Sequence, residues 1–118
     1  MIIGTGVDIT EVRRLRQAVE KWGEAFLNRV FTEEELDNAK KRGSLYQHLA
    51  GRFAAKEAIF KALGDMELSW KDVQIINDKE GKPCCKILHG KGKNRAVYVS
   101  ISHVKNYAVA NAIITQKV

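Results

Sequence analysis

Hydrophobic and polar residues alternate along the chain with two different periods, which predict a strand first, then helices, then a strand-rich second half. Segment 2–9 alternates as a β-strand does, and one of its faces carries Gly4 and Gly6 beside Asp8. Because glycine weakens a strand, this face indicates a close neighbour, and we interpret that neighbour as a ligand. The competing interpretation is that Asp8 caps the helix that follows.

The next two segments have the period of amphipathic helices. The first helix is predicted over 11–22, and its buried stripe consists of apolar residues at helical spacing: Val12, Leu15, Val19, Trp22 and then Phe26. Thr32 and Glu35 match a capping box, which predicts that a second helix begins there and extends to about Arg42.

A third helix is predicted over 45–63, between a cap at Ser44 and a C-terminal stop at Gly64. Its large apolar residues share one sector of the helix surface: Leu45, Leu49, Phe53, Phe60 and Leu63. Lys56 falls in the same sector, where a snorkelling side chain and a buried phosphate partner explain it equally well.

Glu57 and Lys61 lie on the neighbouring sector of this helix, beside Ala50 and Ala54. Their i,i+4 spacing is typical of a surface ion pair, which contributes only about 0.3–0.5 kcal/mol. The small alanines weaken that interpretation because they leave room for a ligand next to the charged pair. We therefore treat Glu57 and Lys61 as candidate site residues.

The second half of the chain is rich in strand patterns. The predicted strands are joined by turns and span 73–76, 83–88, 97–103 and 107–115. The last strand carries three alanines on one face, on which a helix can pack closely: Ala108, Ala110 and Ala112. The sequence therefore predicts an α+β fold, with the N-terminal strand and helices packed on an antiparallel sheet.

Composition places the chain among ordinary globular proteins. Its 118 residues are 45% hydrophobic and 29% charged, which predicts one domain over 1–118 and excludes a disordered or fibrous chain. No apolar run approaches the roughly 20 residues that a membrane helix needs, and the first residues lack the basic segment of a secretory signal. The two cysteines, Cys84 and Cys85, are adjacent and cannot form a disulfide framework, so we expect a reducing, cytoplasmic compartment.

A formal net charge of +6 indicates an acidic partner. One class with such a partner is a small basic nucleic-acid-binding protein, which the basic loop at 91–95 favours. Aromatic residues make up only 8% of the chain, however, and Glu57 lies amid basic residues. A nucleic-acid surface would avoid that carboxylate, so this class is the weaker alternative.

Several common catalytic motifs are missing from the sequence. Ser100 and Ser102 lack the G-x-S-x-G sequence of serine hydrolases, and Cys84, Cys85 and His89 lack the spacing of zinc ligands. Neither a Walker loop nor a dinucleotide-binding glycine motif is present. A lone strand-end histidine such as His103 is more often structural than catalytic.

Three blocks of sequence, taken together, resemble one family. They are Gly6-Val7-Asp8-Ile9, the stretch 51–64 with its F-x-x-K-E-x-x-x-K pattern, and Val99-Ser100-Ile101-Ser102-His103. Gly81-Lys82-Pro83 matches in order as well, so the resemblance covers essentially the whole chain. The family that these blocks resemble is the holo-acyl-carrier-protein synthases, which are phosphopantetheinyl transferases.

This resemblance implies an enzyme of fatty acid biosynthesis. Such an enzyme moves 4′-phosphopantetheine from coenzyme A to a serine of apo-acyl carrier protein and releases adenosine 3′,5′-bisphosphate. The resemblance further implies the phosphopantetheinyl transferase fold, Mg²⁺ as cofactor, and a homotrimer with its sites between protomers. The partners it implies are coenzyme A and an acidic carrier protein, with neither nucleic acid nor a membrane.

The resemblance also assigns residues to roles. Asp8 and Glu57 match the magnesium ligands, and with Lys61 they are the implied catalytic residues. Coenzyme A phosphates are implied to contact basic residues of the second and third blocks: Arg52, Lys56, Lys61 and His103. The carrier protein is implied to dock on the basic side of the first helix, at Arg14 and its neighbours Arg13 and Lys21.

The residues and the resemblance lead to the same mechanism. Attack on a pyrophosphate needs charge neutralisation and in-line positioning, and Mg²⁺ usually takes one or two carboxylates together with phosphates and waters. Two candidates for the general base stay open, a metal-associated water and Glu57 itself. A non-catalytic carrier-binding module is a further alternative, and the intact Asp8, Glu57 and Lys61 argue against it.

Two stretches depart from the family pattern. Residues 65–70 are shorter and poorer in glycine than is common, which would change the edge of the coenzyme A pocket. Cys84 and Cys85 stand where ordinary strand residues are expected, and there we expect a change in packing only.

Overall fold

The computed structural model describes residues 1–64, 67–92 and 94–117 of the chain. The elements follow in this order: β1 (Ile2–Glu11), α1 (Val12–Val30), α2 (Glu33–Lys40), α3 (Leu45–Leu63), a 3₁₀ turn (Trp70–Asp72), β2 (Val73–Asn77), β3 (Pro83–Ile87), β4 (Arg95–His103) and β5 (Tyr107–Gln116). The predicted bounds of the third helix are confirmed, and each predicted strand is present. None of the helices in this part of the chain is long and apolar enough to cross a membrane.

The helix ends differ from the prediction in three places. α1 continues to Val30 past a break at Gly23, whose φ of 56° and ψ of −137° suit glycine, which lacks a Cβ. α2 has the predicted capping box but ends at Lys40 rather than at Arg42. Ser44 precedes α3 in the left-handed conformation and makes no side-chain capping bond, so the cap predicted there is wrong.

The strands form two antiparallel sheets, whereas the sequence predicted one. The larger sheet has the order β1-β5-β4, and the smaller sheet pairs β2 with β3. In the larger sheet, Asp8 of β1 lies opposite Ala110 of β5, and Gly6 lies opposite Ala112. The N-terminal strand therefore belongs to the same sheet as the last two strands, and α3 covers one face of it.

Small residues allow α3 to lie very close to this sheet. The alanines between the two layers are fully or almost fully buried: Ala54, Ala55, Ala58, Ala108, Ala110 and Ala112. A Cβ added at Gly4 would lie 1.9 Å from the Ala62 carbonyl oxygen, and one added at Gly6 would lie 2.0 Å from the Ala58 carbonyl oxygen. The close neighbour of the glycine face is thus the backbone of α3, and the interpretation of that neighbour as a ligand is wrong.

The buried side of α3 also differs from the predicted stripe. The helix is packed on two sides, so most of its small residues are buried together with Arg52 and Lys56, whereas Leu45, Phe53 and Phe60 are only partly buried. In α1 the prediction that Trp22 is buried is wrong, because this side chain is 59% exposed. Leu15 and Val30 are the buried residues of α1, so Trp22 ends the first segment of the helix on its outer side.

Candidate functional site

A cleft of about 300 Å³ opens beside the C-terminal end of β1, and we call it the acidic cleft. Its polar lining consists of Asp8, Thr10, Glu11, Arg14 and Glu57. Its apolar lining consists of Ile9, Leu15, Ala18, Phe26 and Phe53. The close packing of β1 on α3 places Asp8 and Glu57 in the same cleft, although they are far apart in the sequence.

Asp8 does not cap a helix. The N-cap of α1 is Glu11, so the capping interpretation of Asp8 is wrong. The Asp8 carboxylate accepts hydrogen bonds from the Thr10 hydroxyl at 3.2 Å and from Lys61 Nζ, also at 3.2 Å. Lys61 Nζ donates in addition to the Val7 carbonyl at 3.0 Å, which ties α3 to β1 at this point.

Glu57 is less well neutralised than Asp8. Within the described residues the structure gives it no salt bridge, because Lys61 pairs with Asp8 instead of with Glu57. Partial burial and then the Asp8 carboxylate raise the pKa of Glu57, while Lys61 opposes the change. The acidic cleft therefore carries an excess of negative charge that a divalent cation relieves.

The donor set of the acidic cleft fits a hard divalent cation. Mg²⁺ prefers oxygen ligands and is commonly held by one or two carboxylates, with waters and substrate phosphates in the other positions. Asp8 and Glu57 supply two such carboxylates. The part of the chain that the structure describes contains no cluster of three or more His, Cys, Asp or Glu residues that could hold a metal.

A second pocket, of about 240 Å³, lies between α3, the β2–β3 hairpin and the end of β4, and we call it the basic pocket. Four basic residues line it: Arg42, His48, Arg52 and His103. Its other lining residues are uncharged: Gln47, Gly51, Asn77, Gly81, Pro83 and Ile101. Cations without a carboxylate among them form a binding site for an anion.

Two of the predicted phosphate-binding residues, Arg52 and His103, meet in the basic pocket. Arg52 is buried, and its guanidinium donates to the side-chain oxygen of Asn77. The sequence prediction missed Arg42 and His48. The signal that could have found His48 is its position one helical turn before Arg52, on the same side of α3.

Lys56 lies in neither cleft, so the structure does not bring it together with the other predicted phosphate-binding residues. Its side chain is fully buried, and Nζ donates to the Glu35 carboxylate at 2.7 Å, the Val30 carbonyl at 2.8 Å and the Trp70 carbonyl at 3.0 Å. An ammonium group has three N–H donors, so none is left for a phosphate. The partner that explains a lysine in the apolar sector is a glutamate of α2.

The residues predicted to dock a carrier protein lie on the outer side of α1. Arg14 lines the acidic cleft, and Arg13 and Lys21 are exposed. Lys21 Nζ lies 4.9 Å from the centre of the Trp22 ring, so a cation and an exposed aromatic ring stand together on this helix.

Comparison with known proteins agrees with this architecture. Residues 4–112 match the model of the 4′-phosphopantetheinyl transferase superfamily. The holo-[acyl-carrier-protein] synthase of Thermodesulfovibrio yellowstonii is 47% identical, over 98% of this chain and 100% of the relative. The synthase of Fusobacterium nucleatum is 46% identical, over 97% of this chain and 99% of the relative.

Solved structures give the same result. A holo-(acyl-carrier-protein) synthase from Bacillus anthracis, crystallised in complex with CoA (3′,5′-ADP), has a TM-score of 0.85 and 39% identity, covering 100% of this chain and 99% of that one. The synthase from Neisseria meningitidis has a TM-score of 0.89 and 32% identity, and the match covers 98% of this chain and 100% of that one. The chain therefore belongs to the holo-[acyl-carrier-protein] synthase family of phosphopantetheinyl transferases. This result confirms the resemblance and disfavours the nucleic-acid-binding alternative.

Proposed function

We propose that the chain transfers 4′-phosphopantetheine from coenzyme A to a serine of apo-acyl carrier protein, in fatty acid biosynthesis, with Mg²⁺ as cofactor. The second product is adenosine 3′,5′-bisphosphate. The observation that carries this proposal is the convergence of Asp8 and Glu57 beside Lys61 in one cleft. The Bacillus anthracis synthase crystallised with CoA (3′,5′-ADP) and the Helicobacter pylori synthase in complex with coenzyme A support the choice of co-substrate.

Asp8 and Glu57 are the residues that would hold Mg²⁺, which supplies charge neutralisation for the pyrophosphate when bound. Lys61 pairs with Asp8, yet its side chain is 54% exposed, so its ammonium can turn to a phosphate oxygen. The serine oxygen forms a bond to the phosphorus next to pantetheine, and the bond from that phosphorus to the bridging oxygen breaks. The bridging oxygen leaves with the adenosine bisphosphate, and the serine proton passes to a general base, for which a water and Glu57 are the two candidates.

The basic pocket fits the other end of coenzyme A, which carries a phosphate on the adenosine. Arg42, Arg52 and His103 offer N–H donors to phosphate oxygens, and no carboxylate among the lining residues competes with them. An arginine can bind phosphate with two parallel hydrogen bonds. Because Asn77 already orients the Arg52 guanidinium, part of the site is preformed.

The two clefts of one protomer share no lining residue among those that the structure describes. One coenzyme A molecule has to reach both, since its pyrophosphate reacts near the carboxylates while its adenosine phosphate needs the cations. The resemblance to the family implies sites formed between protomers, with the acidic cleft of one facing the basic pocket of the next.

The uncovered face of the larger sheet supports a homotrimer. α3 covers the face that carries the alanines, so those alanines are not available to another protomer. On the opposite face, apolar side chains stand in neighbouring strands and are largely exposed: Ile3, Val7, Ile9, Tyr98 and Val109. A group of exposed apolar side chains of this kind is typical of a subunit interface.

Val7→Arg tests the trimer, because it places a charge in the middle of this face. Light scattering of the wild type should give about three times 13.3 kDa, and the variant should give a smaller assembly with little activity. Val104→Arg, at a similarly exposed valine in the turn after β4, is the matched control and should stay trimeric. A fully active wild-type monomer would contradict the proposed assembly.

The outer side of α1 is the proposed docking surface for the carrier protein. Arg14 stands at the acidic cleft, where the substrate serine has to arrive, and Arg13 and Lys21 extend the positive charge along the helix. Carrier proteins are acidic, so the charges are complementary. Trp22 adds exposed apolar area to the same surface.

A mass assay tests the proposed reaction directly. After incubation with coenzyme A, Mg²⁺ and an apo-acyl carrier protein, the carrier should gain about 340 Da, the mass of one phosphopantetheine group. A carrier with alanine in place of the acceptor serine should gain nothing, and EDTA should abolish the gain. An unmodified wild-type carrier, or a gain that EDTA leaves unchanged, would contradict the reaction or its metal dependence.

A further inference from the structure

His48 in the basic pocket has no role in the reaction described so far. It lies on α3 one turn before Arg52, and the centre of its ring is 6.2 Å from that of His103 at the end of β4. The charged and titratable groups around it are Arg52 of α3, Arg42 of the segment after α2, and His103. The hairpin side of the pocket adds only uncharged residues: Asn77, Gly81 and Pro83.

These surroundings disfavour a positive charge on His48 while the pocket is free. Burial comes first among the causes, followed by Arg52, Arg42 and His103, and together they lower the pKa of His48 below its ordinary value. His48 is therefore mainly neutral near pH 7. Two arginines that are always charged then stand in the pocket beside the His48 imidazole, which can still accept a proton.

We propose that His48 is a further phosphate-binding residue, and that a phosphomonoester enters the basic pocket together with a proton that His48 takes up. The identity of this ligand as the 3′-phosphate of coenzyme A rests on the proposed function. A phosphomonoester loses its second proton at a pH of about 6, so it brings close to two negative charges at neutral pH. Those charges favour the imidazolium form of His48, which then donates an N–H to a phosphate oxygen.

The same reasoning makes His48 a specificity residue. Dephospho-coenzyme A lacks the phosphomonoester and has only the pyrophosphate, which brings no doubly charged group to this pocket. Proton uptake by His48 therefore strengthens the binding of coenzyme A and leaves that of dephospho-coenzyme A unchanged. The preference for coenzyme A should grow as the pH is lowered from 8.5 to 6.5.

NMR titration of the histidine rings tests the proposal directly, because the chain has only three histidines. With adenosine 3′,5′-bisphosphate bound, the titration midpoint of His48 should rise by about one pH unit or more. His89, which binds Asp72 at 2.7 Å and does not line the pocket, is the internal control and should keep its midpoint. Single His→Gln variants assign the three signals.

Calorimetry supplies the second readout. For adenosine 3′,5′-bisphosphate, the wild-type affinity should fall several-fold between pH 6.5 and 8.5, and a rise of one pH unit in the His48 midpoint limits the whole change to about tenfold. His48→Gln keeps a hydrogen-bonding side chain but cannot take up the proton, so its affinity should change much less than that of the wild type over the same range. His89→Gln should behave as the wild type. Dephospho-coenzyme A should show no such dependence on pH with any of the three proteins.

The outcomes separate this inference from the proposed function. If adenosine 3′,5′-bisphosphate binds to the wild type while the midpoint of His48 stays unchanged, the role of His48 is overturned and the coenzyme A pocket stands. If His48→Gln keeps the full pH dependence, the role of His48 is overturned in the same way. If the wild type does not bind the bisphosphate at all, the assignment of the basic pocket is overturned together with this inference.

Discussion

Two neighbouring residues of α3, Lys56 and Glu57, differ in how well their charges are neutralised. On the side of α3 that packs against α2, Lys56 is fully buried, and its ammonium donates three hydrogen bonds to protein oxygens. Its partner Glu35 also accepts from the backbone amides of Thr32 and Ile75, each at 2.8 Å. On another side of the helix, Glu57 has no salt bridge among the described residues and shares an open cleft with Asp8.

The difference shows how to separate a structural charge from a functional one within a motif. In the interior every donor and acceptor of the Lys56–Glu35 pair is satisfied, since an unpaired buried charge is very unfavourable. In the acidic cleft the protein leaves negative charge unneutralised, so a cation that binds there makes a favourable electrostatic interaction. Four experiments test this contrast.

Lys56→Met should have the largest effect, and it should act on stability. The substitution leaves the Glu35 carboxylate buried without its cation, which typically lowers the free energy of unfolding by about 3–5 kcal/mol. Urea unfolding measures the loss, with the exposed Lys40→Met as control. Adding Glu35→Gln to Lys56→Met removes the unpaired charge and should restore part of the stability. A Lys56→Met protein that is fully stable but binds coenzyme A weakly would show that Lys56 binds the substrate and is not a structural charge.

Glu57→Gln should act on turnover while the fold survives. The amide keeps the shape of the side chain but removes the charge that is proposed to hold the cation, so we expect kcat to fall by about 10² or more. The carrier mass assay measures the rate, and circular dichroism checks the fold. Glu33→Gln, an exposed glutamate of α2, is the matched control. Full magnesium-dependent turnover by Glu57→Gln would remove the acidic cleft from the mechanism.

Arg14→Glu should have a smaller effect, limited to the carrier protein. Reversal adds repulsion to lost attraction, so the KM for the carrier should rise about tenfold, while the KM for coenzyme A hardly changes. Raising the salt concentration from about 50 to 500 mM should weaken the wild type more than the variant, because the Debye length shortens. Lys40→Glu, which makes the same charge change on α2, is the matched control. Unchanged carrier kinetics at low salt would place the docking surface elsewhere, with the basic loop at 91–95 as the next candidate.

A change of pH should give the smallest of these effects. The pKa of Glu57 is raised in the folded protein, so its carboxylate becomes protonated at a higher pH than an ordinary glutamate. The protonated form does not bind a cation, and kcat/KM at limiting Mg²⁺ should therefore fall as the pH falls through this raised pKa. More Mg²⁺ should move the inflection to lower pH, because metal and proton compete for the same oxygens. An inflection that is independent of Mg²⁺ would argue against Glu57 as a ligand.

Much of the fold follows from local patterns. The alternation in 2–9 and 107–115, the capping box at Thr32 and the stop at Gly64 each depend on neighbouring residues only, and each is confirmed. The predictions for Ser44 and Trp22 are wrong because a cap and a buried face also depend on the path of the chain around them. The predicted edge of the coenzyme A pocket at 65–70 lies partly outside the described residues.

The sequence by itself determined the family, the element types and the candidates Asp8, Glu57, Lys61, Arg52 and His103. Motifs and periodicities carry this information, since they record residue types at fixed spacing. Only the tertiary structure decided which charges are satisfied internally. Lys56 and Arg52 are one helical turn apart on α3, and the resemblance implied the same role for both, yet Lys56 is buried against Glu35 whereas Arg52 lines the basic pocket. That outcome depends on which distant segments pack against each side of the helix, and local sequence does not contain this information.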